Sequence, residues 1–161
     1  MQGQGEEGMA QARQGIAALR ATGTVVFVTY FCTVLADVAD HLGHTEEGLQ
    51  ALAEAHTLVE QHEERWWEAE GYRLRGVLFL HQTGTPQAEA ETWLQRALGV
   101  ARLQEAKSLE LRAAMSLSRL WQQQGKRDAA RQLLAEVYAW FTEGFDTVDL
   151  QEAKALLDVL S

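Results

Sequence analysis

The chain has 161 residues, room for one compact domain or a short solenoid, and its 47% hydrophobic and 23% charged content is that of a soluble globular protein. A net charge of −9 argues against nucleic acid, whose phosphates it would repel, and no apolar run is long enough to span a membrane. The N-terminus, MQGQGEEG, lacks the basic and apolar regions of a secretory signal, and Cys32 is the only cysteine, so a cytoplasmic setting without disulfides is expected.

A single proline among many Ala, Leu, Gln, Glu and Arg residues predicts an all-α chain. Residues 4–22 read as a helix with Met9, Ala12, Ile16 and Leu19 on one stripe. Glu6, Glu7 and Gly8 align with Glu46, Glu47 and Gly48, and Gly15 aligns with Ala55. The first helix therefore reads as the second half of a repeat whose first half is missing, as in a fragment of something longer. The next helix, from about Val25 to Leu42, carries Cys32, Leu35, Ala36 and Ala39, and Gly43 closes it. Thr45 is placed to cap its partner, which spans 46–62 and carries Gly48, Leu52 and Ala55. A second hairpin begins near Arg65 with Tyr72, Gly76 and Phe79; Arg75 breaks its apolar pattern, and Leu74 and Leu78 are expected to take over the packing. Thr85 and Pro86 read as the cap and first residue of the following helix, with Ala90, Leu94 and Ala97 on its stripe.

In the third hairpin, Ala114, Leu117, Ser118 and Trp121 face Ala130, Leu134 and Val137 across a turn at Gly125, and Trp121 is expected to be largely buried. After it, Gly144 ends the hairpin and Asp146 starts an amphipathic helix over 147–160 with Leu150, Ala153, Leu156 and Leu157, a capping device for a solenoid. Ala36, Gly76 and Ser118 hold equivalent places in successive units, which sets a period of roughly 40 residues.

This spacing of small and large residues resembles the tetratricopeptide repeat, with helices about a turn longer than in its usual unit. The resemblance implies an all-α, right-handed superhelical solenoid of about eight antiparallel helices. Residues 1–161 then form one domain: a half repeat at 4–22, full repeats at 24–62, 65–105 and 107–143, and a capping helix at 147–160. The stretches ERWWEAEGYRLRG (64–76) and AKSLELRAAMSLSRLWQQQGKRDAARQLLAEVYAWFTEGFDTVDLQEAKALL (106–157) are also similar to the C-terminal repeats of large bacterial signal-transduction (STAND-type) ATPases, which carry an N-terminal nucleotide cyclase or DNA-binding module. That similarity implies a non-enzymatic arm whose partner is a protein or peptide, the ATPase domains of its own parent chain among the candidates, or, as the alternative, a sensor of small molecules. The phosphate-binding loop of such ATPases does not occur in the chain.

In tetratricopeptide arrays the first helices line a concave groove. Carried onto this chain, the groove residues are Tyr30, Thr33 and Asp37, then Arg73, Val77 and His81, then Arg112, Met115, Arg119 and Gln122. Asp40, His41, Glu70, Leu80 and Gln123 share those faces, which makes the groove acidic at one end and basic at the other.

Other chemistry is sparse. Asp37, Asp40, His41 and His44 share a helix face at metal-ligand spacing, but without the cysteines or second histidine pair of a strong site they read as a solvated helix end. Neither metal nor cofactor is expected. Trp66 and Trp67 read as packing between repeats at a helix start, and Cys32 as a buried, inert thiol. No nucleophile, base and orienting group fall together, so no catalytic site is expected. At the N-terminal edge the half repeat should leave Met9, Ile16 and Leu19 half covered, an apolar surface suited to a homodimer.

Overall fold

The computed structural model describes residues 2–23, 27–63, 65–82, 84 and 86–161. Among the described residues there are eight α-helices and no strand: α1 (Gln2–Ala21), α2 (Val28–Leu42), α3 (Thr45–His62), α4 (Glu68–His81), α5 (Gln87–Leu103), α6 (Lys107–Gln123), α7 (Arg127–Tyr138) and α8 (Val148–Leu160). The turns explain why neighbours run antiparallel. Gly43 and Gly125 take left-handed φ values of 77° and 79°. In each case the next residue donates back across the helix end, His44 N–H to the Ala39 carbonyl and Lys126 N–H to the Trp121 carbonyl, both at 2.8 Å. Glu105 makes the same turn between α5 and α6 with φ 54°, without glycine's freedom.

Several boundaries differ from the expected ones. Thr45 is already helical and His44 precedes it, while Pro86 stands before α5 with extended backbone, because its fixed φ suits either side of a helix start. Trp66 and Trp67 lie in the turn before α4, and α8 starts at Val148 behind Thr147 rather than at Asp146. The expected start at Val25 and the cap at Thr85 lie outside the described residues.

Equivalent small residues bring the two helices of each hairpin together. A Cβ on Gly48 would lie 3.4 Å from the Ala36 carbonyl, and one on Gly76 would lie 3.1 Å from the Ala90 carbonyl. In the third hairpin Ser118 Oγ donates to the Ala130 carbonyl at 3.0 Å. The same pair of repeat positions thus meets three times, so the repeat register read from spacing is realised in space. Leu78 fills the space over Gly48 and Leu94 that over Gly76. Leu74 and Leu78 are both buried, taking the packing role that Arg75 gives up.

The helices form two layers. The backbones of α2, α4, α6 and α8 each lie against the next of the set, whereas among the described residues the backbones of α1, α3, α5 and α7 lie only against helices of the first set. The even helices therefore make a continuous inner layer, and the odd helices stand apart on the outer side with gaps between them.

The ends of the stack correct two expectations. Met9 is 0% and Ile16 4% exposed, because α1 lies close enough to α2, with Gly5 against Leu42, to bury its stripe there. Of the stripe expected to be half covered, only Leu19 stays partly exposed, which removes most of the apolar edge that suggested a homodimer. Trp121 is half-buried instead of largely buried: its ring packs on the core while Nε1 reaches the rim and donates to Glu91 at 2.8 Å. At the other end α8 buries Leu150, Ala153, Leu156 and Leu160, and Arg127 of α7 donates to the carbonyls of Val159 and Leu160.

Candidate functional site

A polar concavity of about 280 Å³ lies on the inner layer, across α2, α4, α6 and α8. Its floor is Glu70, in the first turn of α4, with a side chain only 6% exposed. Its charge is held by two arginines. Arg73 grips it with both ends of the guanidinium, Nε to Oε2 at 2.9 Å and Nη2 to Oε1 at 2.8 Å, and Arg112 Nη1 reaches Oε1 at 3.4 Å. Arg73 also donates to Ser116 Oγ at 3.3 Å and lies 3.9 Å from Asp37. Toward α8, Arg112 Nε donates to Asp149 at 2.7 Å and Arg119 Nη2 to Glu152 at 2.9 Å. Burial works against the charge on Arg112, but its bonds to Asp149 and Glu70 outweigh that and raise its pKa. At the rim, the Asp37 carbonyl 2.7 Å from His41 Nδ1 raises the imidazole's pKa against a smaller opposing effect of burial.

Of the residues expected in the groove, Asp37, Arg73, Arg112, Met115 and Arg119 line it. Five others do not. Thr33 is buried on the side facing α3, its hydroxyl donating to the Tyr30 carbonyl at 2.6 Å. Tyr30 belongs to an aromatic cluster at the edge, stacked on Trp66 at 5.9 Å with Phe31 and Trp67 beside it. Val77 packs against the core, His81 leaves the groove to pair with Asp40 at 2.7 Å, and Gln122 is half-buried away from the lining.

The expected basic end is also corrected. Sequence reasoning missed Ser116, Asp149 and Glu152, which pair with the arginines and leave three guanidinium groups facing four carboxylates. The one trace of this in the sequence is the acidic pair at 149 and 152, three apart on one face of the last helix.

The metal-spaced residues disperse: His44 lies near Glu6 and Glu47, Asp40 on His81 and Asp37 near Arg73. Cys32 is buried, and burial pushes its thiol pKa up although the guanidinium of Arg20, brought over by α1, pulls the other way. No protein-family model matches the chain, and no curated protein compared with it does either.

Proposed function

We propose that the protein is a non-enzymatic interaction module, a tetratricopeptide-like right-handed superhelix that takes a protein or peptide segment in its inner groove. It serves in this reading as an arm of a larger bacterial regulatory ATPase in the cytoplasm, and that parent chain's ATPase domains are candidate partners. The observation that carries it is the graded hold on charge along the groove. Glu70 and Arg73 form a fixed, nearly buried pair, while Arg119 and Glu152 are 47% and 52% exposed. An exposed pair contributes about 0–1 kcal/mol, so a ligand carrying both signs can replace it at little cost. A peptide with alternating charges matches that arrangement.

A small-molecule sensor is the second reading. The groove's 280 Å³ stands at the lower edge of ligand pockets, about 300–1,000 Å³, and its polar lining suits only a compact, charged metabolite.

A peptide array probed with the wild type should retain sequences of alternating charge. Arg119→Glu should weaken them at least tenfold and Glu91→Lys, on the outer layer, should not. Equal losses in both variants, or a thermal shift with a metabolite and no retained peptide, would overturn the peptide reading.

A further inference from the structure

The outer layer has gaps between α1 and α3, α3 and α5, and α5 and α7, because the backbones of these helices stand apart. In the first gap cations meet acids, Arg13 on Glu47 and Arg20 on Glu54. In the third, Glu91 takes Lys126 and Arg102 lies near Glu136. The middle gap is different. Arg75 lies over Trp93 at 4.4 Å, Trp93 stacks on Tyr72 at 5.6 Å, and Arg96 lies over Tyr72 at 4.3 Å. Neither arginine forms an ion pair among the described residues, and Arg75 Nε is buried without a hydrogen-bond acceptor among them. The nearby acids are committed: Glu60 and Glu68 pair with Arg65, and Glu68 also accepts from the Tyr72 hydroxyl at 2.7 Å.

A guanidinium stacked on a ring keeps its donors in its own plane, where they fit a carboxylate edge-on. Arg75 and Arg96 lie around the same ring, at 4.4 and 5.6 Å from the Trp93 centroid, so one short segment can reach both. We propose that this outer groove between α3 and α5 docks an acidic peptide segment, its carboxylates taken by Arg75 and Arg96. A peptide fits better than a small molecule, because the open cavity on the α3 side of Arg75, lined in part by Leu52, Ala55 and Val59, offers only about 30 Å³, space for the tip of one small side chain. The walls are helices of 18 and 17 residues, about 25 Å long, which suit an extended chain. The chain's net charge of −9 does not prevent this, because at physiological salt charges beyond about 8 Å are largely screened. This site is separate from the inner groove and stands or falls without it.

Nitrogen-15 NMR tests it with three probes: an acetylated, amidated Glu-Ala-Glu-Ala-Glu peptide, its Gln-for-Glu counterpart, and inorganic phosphate. The Trp93 indole signal is identified by its loss in Trp93→Phe. The acidic peptide should move that signal saturably and the glutamine peptide should not. Arg96→Gln, at an exposed position, should weaken the response at least tenfold. Arg75→Lys, checked for folding by circular dichroism, should weaken it too because charge without the stacked plane is insufficient, while Lys154→Gln, at an exposed position on α8, should leave it unchanged. The proposal is overturned by the absence of a saturable shift, by an equal shift with the glutamine peptide, or by an unaltered response in Arg96→Gln. Phosphate binding as tightly as the peptide would also overturn it, in favour of a general anion site.

Discussion

The inner groove and the outer gap between α3 and α5 are both lined by arginine, yet they hold it in opposite ways. Inside, Arg73, Arg112 and Arg119 each meet a carboxylate. Outside, Arg75 and Arg96 meet only aromatic faces. A carboxylate occupies the in-plane donors of a guanidinium, whereas a ring covers its face and leaves those donors open. The number of arginines on a surface therefore says little about its readiness for an anion; the kind of neighbour decides it.

The sharpest way to break this contrast is Glu70→Ala. Removing the shared acceptor strands Arg73, whose side chain is only 16% exposed, and a buried charge left without its partner costs about 3 kcal/mol. Urea unfolding should show the lower midpoint with an unchanged slope. A loss below about 1 kcal/mol would mean that Arg73 moves to Asp37 freely and that the inner pairs are as loosely held as the outer stack.

Trp93→Leu probes the outer side and should cost less, about 1–2 kcal/mol, through the lost stacking on Tyr72 and the lost seat of Arg75. The near-ultraviolet dichroism should change with it. A cost as large as that of Glu70→Ala would show that the stack, and not the ion pairs, is the stronger hold.

The smallest effect is confined to high pH. Burial, joined by the hydrogen bond to Glu68, pushes the Tyr72 hydroxyl from its ordinary 10 up to about 12. A folded-state pKa above the unfolded one means that the proton is held more tightly in the native chain. The associated stability is thus fully present below pH 10 and is lost as pH rises through the window to about 12. Absorbance titration at tyrosinate wavelengths should show one late step that Tyr72→Phe removes. If Tyr72→Phe instead removes absorbance change at the ordinary tyrosine pKa, the Tyr72 ring lies in water and is not held in the stack.

Helix identity and repeat register are legible because both are local. Ala36, Gly76 and Ser118 recur at a nearly constant interval, and spacing along each helix puts them on the face that packing then turns toward Gly48, Ala90 and Ala130. Helix starts are less legible, since Trp66, Trp67 and Pro86 tolerate either side of a boundary. Of the expected groove residues, Asp37, Arg73, Arg112, Met115 and Arg119 line one concavity, because they share faces that periodicity defines.

What the amino-acid order determined by itself is the all-helical class, the repeat length and the small residues that let paired helices approach. What only the tertiary structure decided is the partner of each charge. Asp149 and Glu152 lie far along the chain from Arg112 and Arg119, and whether they meet depends on α8 packing against α6. Arg75, read as a flaw in the apolar pattern, becomes the end of a stack because α5 delivers Trp93 to it. The burial of Met9 and Ile16 likewise followed from how closely α1 settles on α2. Periodicity fixes which face a residue occupies, but the Coulomb and stacking energies of that face depend on distances between helices, which no single helix encodes.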